Sequence, residues 1–172
     1  MYDTKLISRE DIAKYKQISS SSNDDKLNQS IVEAQLENIK PLLGESLFNA
    51  VLIEALAGGN LYAELLKGGS YNVNGCDYYN VGLKAVIVYY TSARYTMGGD
   101  VIDNPFGLTQ KLNSPNSQPI DYPTKKSLSN QDRDFAYNLW LDVKAFLIRT
   151  KEPLFNCGVT TTPRKFKIDK IG

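Results

Sequence analysis

Histidine is absent from the 172-residue chain, and that absence removes a great deal of chemistry. No imidazole is available as general base for a serine or cysteine nucleophile, and none to ligate zinc or iron. Cysteine is nearly as scarce. Cys76 and Cys157 stand far apart and are too few to close a structural zinc site; a disulfide between them has no support in the sequence, and two free thiols in a reducing compartment are expected ahead of it. Charge of one sign is missing too: 20 basic and 19 acidic residues leave a net charge of +1, so no overall field steers the chain towards nucleic acid or an anionic membrane. The N-terminus shows no basic, apolar leader, so no signal peptide is expected. The glycines come in pairs, without a dinucleotide-binding or lysine-containing phosphate-loop spacing. Catalysis, cofactor binding and metal binding therefore all lack a foothold in the sequence.

What is present is helical patterning around one apolar stretch, Leu65–Gly99. Gly68-Gly69 ends a helix there. Asn74-Gly75 then accepts the positive φ of a tight turn, which predicts a small β-hairpin from Tyr71–Val73 and Cys76–Tyr78. From Gly82 to Met97 the chain is apolar nearly all round, with Leu83, Val86, Ile87 and Tyr90 on one stripe. Such a helix is enclosed by other elements. At about 16 residues, and rich in tyrosine, it is short for a bilayer span, and no membrane partner is expected.

Around it the elements follow in order. Met1–Leu6 reads as extended or frayed, and Ser8-Arg9-Glu10-Asp11 is a capping box opening a helix to about Gln17. After the serine-rich loop Ser19–Asn23, a second helix runs from Asn23 or Asp24 to about Leu43, with Pro41 expected to kink or end it. Leu47, Phe48, Val51, Leu52, Ala55 and Leu56 make the third helix amphipathic, and Asn60 caps a further turn, Leu61–Leu66. Residues 100–128, with Pro105, Pro115, Pro119 and Pro123, read as a long loop that a partner would order. Ser129-Asn130-Gln131-Asp132 repeats the capping-box spacing and predicts a last helix to about Thr150. Phe135, Leu139, Val143, Phe146 and Leu147 lie on its buried face, flanked by Trp140. The fold class is mainly α, a helical bundle of about four to five helices with a small β-hairpin, a long Pro/Asn/Ser-rich loop and an extended C-terminal arm. The bundle occupies residues 1–152 and the arm 153–172.

Few side chains suggest a site. Glu33 and Glu37 share a helix face that a cation could use, but solvated carboxylates are the ordinary reading. Lys84 and Arg94, the charges of the central helix, are expected to snorkel or to pair with carboxylates. Asn28-Gln29-Ser30 matches a glycosylation acceptor inside a predicted helix. Tyr78-Tyr79 and Tyr89-Tyr90 could stack on a ligand or on single-stranded nucleic acid, yet no basic groove accompanies them. Packing within the subunit or at a protein interface is the simpler account. In the arm, Phe166 and Ile168 alternate with Lys165, Lys167 and Lys170, a strand pattern with one apolar face and an excess of positive charge.

Order and spacing together add a likeness. Asp11-Ile12 with Tyr15 is followed by Ile31-Val32-Glu33-Ala34-Gln35, then by Lys40-Pro41-Leu42-Leu43-Gly44-Glu45-Ser46-Leu47. Leu65-Leu66-Lys67-Gly68-Gly69-Ser70-Tyr71 comes next, then Gly75, Gly82-Leu83-Lys84, Ala93-Arg94-Tyr95, and Pro105-Phe106-Gly107-Leu108 with Lys111. This series resembles the head–tail connector (neck adaptor) proteins of tailed bacteriophages, of the crAss-like and other Bacteroidetes-infecting type. The likeness covers Ile7 to about Lys111 and the placement of the last helix. It implies a structural virion protein, made in the host cytoplasm, that is neither an enzyme nor a cofactor carrier. Its subunits would form a ring, dodecameric in the family, docked on the portal protein. That ring would extend the channel through which DNA passes without sequence-specific contacts, and would meet further neck or tail proteins. The candidate partner-binding residues are Arg164, Lys165, Phe166, Lys167, Ile168 and Lys170 in the arm, Asn74 and Gly75 in the hairpin, and Pro105 and Phe106 in the long loop. Strand addition of Leu154–Gly172 to the portal or an adjacent subunit is the expected mode, with Asp103–Lys126 against a neighbour. The alternatives are a tail-completion or stopper protein of the same particle, or a small-molecule-binding helical protein with an aromatic pocket at Tyr89 and Tyr90.

Overall fold

The apolar stretch at the centre of the sequence forms the central helix of the fold. In the computed structural model, which describes residues 4–17, 23–98, 101–104, 107–110 and 120–155, the chain runs α1 (Arg9–Tyr15), α2 (Asp24–Ala34), a π-helical turn (Gln35–Ile39), α3 (Lys40–Leu43), α4 (Glu45–Leu56) and α5 (Ala63–Lys67). It continues through β1 (Gly69–Val73), β2 (Cys76–Asn80), α6 (Leu83–Gly98), β3 (Val101–Asn104), β4 (Gly107–Gln110) and α7 (Tyr122–Arg149). The architecture is mainly helical with a small antiparallel hairpin. Helix α6 packs most extensively on α7, and α2 and α1 close other sides of it. Leu83, Val86, Ile87 and Val88 are accordingly sealed from solvent. Each such side chain contributes about 1.5–3 kcal/mol through burial.

Helix α1 opens at Ser8 with both halves of the capping box made, Asp11 N–H to the Ser8 hydroxyl and Ser8 N–H to the Asp11 carboxylate. The segment before it is not frayed as far as Leu6. Leu6 and Ile7 are buried, and Leu6 N–H donates to Gln35 Oε1 at 2.6 Å while Gln35 Nε2 donates to the Thr4 carbonyl at 2.9 Å. Gln35 lies at the start of the π-helical turn, 2% exposed. The turn also resolves the question of Pro41. A proline inside a helix lacks the N–H for the i−4 carbonyl and crowds that carbonyl. Here the ladder widens just before it, with Lys40 N–H reaching Gln35 O. The helical path continues through Pro41 and stops at Gly44. In α4, Leu47, Phe48, Val51 and Leu52 are buried, but Leu56, expected on that face, is exposed.

The β1–β2 hairpin pairs Val73 with Cys76 and Gly69 with Asn80, slightly longer than predicted. Asn74 (φ 54°) and Gly75 (φ 81°) form its two-residue turn, both in the left-handed region that a type I′ turn needs. At the other end of the hairpin, Gly68 and Gly82 face each other. A Cβ on Gly68 would stand 2.3 Å from the Asn80 carbonyl oxygen and 2.6 Å from Gly82 N, and one on Gly82 would meet Lys67 C at 2.6 Å. Both have positive φ. Buried Asn80 ties the junction by donating to the Glu64 carbonyl and accepting from Gly82 N–H. Here two backbones touch without side chains between them.

The stretch 100–128 is not one loop. Val101–Asn104 and Gly107–Gln110 form a second antiparallel hairpin, and α7 starts at Tyr122, not Ser129. Asp121 caps it, accepting from Thr124 N–H at 3.1 Å, with Pro123 in the first turn where no N–H is missed. The capping-box lookalike lies inside the helix because both of its polar residues have distant partners. Ser129 Oγ donates to the Ala93 carbonyl at 2.9 Å, and the Asp132 carboxylate accepts from Ser92 Oγ at 2.8 Å. The buried line of α7 is therefore Ser129, Asp132, Ala136, Trp140, Val143, Phe146 and Leu147. Trp140 belongs to the core, and Phe135 turns out to the rim, 46% exposed, where its ring meets Tyr89 at 4.5 Å.

Thr91 on α6 is sealed, and its hydroxyl is the one buried side-chain polar atom among the described residues without a hydrogen-bond partner. Thr91→Val removes that unmet group, and a gain of about 1 kcal/mol is expected in denaturant unfolding. Gly68→Ala and Gly82→Ala should each cost about 2–4 kcal/mol. Gly58→Ala, also at positive φ but with open space around it, should cost about 1 kcal/mol. Equal losses at all three positions would refute the backbone contact as the reason for the pair.

Candidate functional site

Among the described residues no group of three or more acidic, cysteine or histidine side chains could hold a metal ion. The charges that the sequence left open are instead structural clamps. Lys84 of α6 donates to Asp11 of α1 at 2.7 Å. Arg94, at the other end of α6, donates to Asn38 Oδ1 from both Nε and Nη2 and to Glu37 at 2.7 Å, with Glu33 at 3.7 Å. The cation that Glu33 and Glu37 share is thus a guanidinium. Asp132 of α7 pairs with Lys16 just beyond α1, and the Lys16 ammonium lies 5.4 Å from the Tyr89 ring centroid. These clamps fix α1 to α6 and α7, and α6 to α2.

Asp11 shows how such a clamp works. Burial pushes its carboxyl up, but hydrogen bonds from Lys84, the Ser8 backbone and Lys14 outweigh that and hold the pKa below the ordinary 3.8. Tyr90 moves in the opposite sense. Burial raises its phenol, nearby Tyr137 adds to that, and Arg133 partly offsets it. The pair Tyr89-Tyr90 thus belongs to packing: Tyr90 is buried in the core and the Tyr89 ring meets Phe135. A cleft of about 510 Å³ lies between the N-terminal segment, α1 and α2, lined by Lys5, Arg9, Asp11, Asp24, Asn28 and Lys84 among others. Neither Tyr89 nor Tyr90 lines it, and its charges are engaged: Arg9 pairs with Asp24 and Lys84 with Asp11, while Lys5 donates to the Asn28 amide oxygen.

The hairpin is docked at its root and bare at its tip. Tyr71 stacks on Tyr78 across the strands at 5.6 Å and meets Phe146 of α7 edge-on at 4.9 Å. Arg149 closes the joint, donating to the Tyr71 hydroxyl at 3.1 Å with its guanidinium 4.1 Å from the Tyr78 ring. Asn74 and Gly75 are exposed at the turn, as are Cys76, a free thiol, and Tyr79. Of the other residues singled out from sequence, Pro105, Phe106, Cys157, Arg164, Lys165, Phe166, Lys167, Ile168 and Lys170 lie outside the described residues. Leu154 and Phe155, counted with the arm, pack on the bundle instead; Phe155 is buried with its ring 6.2 Å from Trp140.

Two exposed apolar surfaces had no part in the sequence reading. One joins Ile53 and Leu56 of α4 with Leu61 in the turn before α5. The other is a line on the outer side of α7, Tyr137, Leu141 and Ile148. Their signal was present as an excess of apolar residues over what one helical stripe can bury.

The fold and these surfaces define a mainly helical protein with a clamped interior and apolar patches facing out. Residues 39–165 match the family of unknown function DUF6712, and the chain belongs to that family. No curated protein and no solved structure matches the chain. No helix among the described residues is long and apolar enough to cross a membrane.

Asp11→Asn should lower stability by about 2–3 kcal/mol at neutral pH, because it leaves the Lys84 ammonium half-buried without its counter-charge. The wild-type contribution is complete above the unfolded pKa and vanishes as pH falls through the lower folded value. The wild-type and Asp11→Asn unfolding curves should therefore converge below about pH 3.8. A gap that persists at low pH would show that the charge is not what the clamp uses.

Proposed function

We propose that the protein is a structural component of a tailed-phage particle, a subunit of a head–tail connector ring that docks on the portal and extends the DNA channel towards the tail. The observation that carries this reading is the pair of unlike exposed apolar surfaces, Ile53–Leu56–Leu61 on one side of the sequence and Tyr137–Leu141–Ile148 on α7. Two dissimilar patches on one rigid subunit suit head-to-tail contacts, which close into rings. Patches of this kind, with no group of three or more metal-ligating side chains among the described residues, favour assembly over catalysis. The likeness to connector proteins rests on stretches that build junctions of the fold. Lys40–Leu47 forms the α3–α4 turn, closed by a Lys40–Glu45 ion pair at 3.1 Å. Gly68-Gly69 and Gly82-Leu83-Lys84 form the hairpin root and the start of α6. In this reading the partners are further copies of the chain, the portal protein and the next neck or tail component, with DNA passing through unspecifically. The clamps on Lys84 and Arg94 keep the subunit rigid, and residues beyond Phe155 reach a neighbour.

A tail-completion or stopper protein would use the same bundle at a different level of the particle. Position decides between the two: a connector subunit binds the portal directly, whereas a stopper binds only once another ring is in place.

Co-expression with the portal protein from the same phage, followed by native mass measurement, should give a closed ring bound to the portal. A chain ending at Phe155 should melt within about 2 °C of the full chain, since no described core residue is removed, yet fail to join that complex. A full chain that stays monomeric beside an assembled portal would rule the connector reading out.

A further inference from the structure

The tip of the β1–β2 hairpin sets an asparagine before a glycine in a place that nothing covers. Asn74 and Gly75 are exposed, and no atom lies within 4 Å of where a Cβ on Gly75 would stand. Asparagine is a thermolabile residue, above all ahead of glycine, because the pair carries its own chemistry. The glycine nitrogen, unshielded by a side chain, attacks the asparagine Cγ once it has lost its proton. The Cγ–Nδ2 bond breaks, ammonia leaves, and a succinimide ring closes. Water then opens the ring at either carbonyl, giving aspartate in one case and an isoaspartyl link through the side chain in the other.

Two features of this turn oppose the first step. A type I′ turn has ψ of about +30° at its first central residue, as the mirror image of type I. At that angle the Cβ of the first residue lies nearly opposite the next nitrogen about the Cα–C bond, whereas ring closure needs the two eclipsed. The second feature is a hydrogen bond. Gly75 N–H, the group that must lose its proton, donates to Asn72 Oδ1 at 3.1 Å. Asn72 is held in turn by its cross-strand partner, with Nδ2 donating to Asp77 Oδ1 at 2.7 Å. A carboxylate accepts and does not donate, so Asp77 keeps the amide nitrogen of Asn72 on its own side and leaves the oxygen for Gly75. Asn72 and Asp77 are themselves exposed, so the bridge is not a by-product of core packing.

We propose that Asn74 is a self-modification site, converted through a succinimide to aspartate and isoaspartate, and that Asn72, set by Asp77, keeps the site closed in the folded chain. Conversion then runs only through the minor population in which the tip has opened. The two products differ in effect. Aspartate tolerates the left-handed conformation as asparagine does, and adds a negative charge at the tip. An isoaspartyl link adds a methylene to the backbone, which a two-residue turn cannot take up with Val73 still opposite Cys76. The change is one-way, so it records how long and how often the tip has been open. It does not depend on the connector reading.

The test incubates the full chain at constant pH and temperature, well below its melting point. Asn74 is followed by peptide mapping with mass spectrometry, and isoaspartate is separated from aspartate by chromatography. Unfolded in guanidinium chloride at the same pH, the chain should convert Asn74 faster than the native chain does and yield both products. Folded Asn72→Ala should convert about two- to tenfold faster than folded wild type, the rate equivalent of one hydrogen bond, with amide exchange at Gly75 rising by the same factor. Exchange at Tyr71, which pairs with Tyr78 lower in the ladder, reports whether the strands stay joined in that variant. Where they part as well, the double exchange Asn72→Asp with Asp77→Asn decides. It restores an acceptor for Gly75 N–H and a donor to hold that acceptor, and should return the wild-type rate. Equal rates in the folded and unfolded chain, an unchanged rate in Asn72→Ala, or a double exchange that stays fast each overturn the proposal.

Discussion

Everything in this molecule is arranged against α6. A helix apolar on nearly every side has no stable place in water except inside other elements, and the fold is the set of segments that cover it. Helix α7 lies along it, α2 and α1 cover other sides, and the hairpin root fixes where it starts. The cover is tied down by polar bonds at both ends of the helix. Lys84 holds α1 near its beginning, and Arg94 holds the α2–π junction towards its end. Hydrophobic burial supplies most of the stabilisation but has no direction, so α6 could slide or rotate against its neighbours at little cost. Charge-assisted hydrogen bonds supply the register. The Gly68–Gly82 contact acts in the same way without charge, since backbones that touch cannot be shifted past each other.

The same arrangement explains why the molecule suggests assembly more than chemistry. Acidic groups buried within it are each committed to a lysine or a hydroxyl: Asp11 to Lys84, Asp132 to Lys16 and Ser92. A carboxylate engaged in that way holds two elements together and is poorly placed to exchange protons with a substrate. The open cleft by α1 is lined by groups that already answer one another. Among the described residues, apolar side chains also face outward, on α4 and on α7. In the proposed connector role this division would be functional, because the interior would stay fixed while only the outer patches are traded with neighbours.

Much of this was legible in the sequence, for local reasons. The capping box at Ser8, the Asn74-Gly75 turn and the Gly82 start of α6 depend on residues within four positions of each other, and all three are where the residue types put them. The failures were long-range. Ser129 and Asp132 imitate a helix start, and only their partners on α6 and beside α1 show that they are interior. Val143, Phe146 and Leu147 are buried as expected, but in the first half of α7 the expected face is one position off, with Phe135 and Leu139 named where Ala136 and Trp140 are buried. Nothing near Gln35 in the sequence announces that it will grip residues 4–6. Arg94 could be expected to find a carboxylate, but its choice of Glu37 and Asn38 depended on how two helices pack. The candidate surface fared least well. The hairpin tip was read correctly as exposed, whereas the α7 ridge was invisible until the phase of the helix was known.

The ion pair between Lys16 and Asp132 joins positions 116 apart in the chain. On a ribosome adding about 5–20 residues per second, Lys16 appears roughly 6–23 s before its partner exists. Throughout that interval the first helix has its cap and its contacts to α2 and later α6, but not the bond to α7. Final closure of the N-terminal segment therefore coincides with emergence of α7. The N-terminal segment gains its last tie only when α7 has been made, so that a prematurely terminated chain lacks the finished bundle.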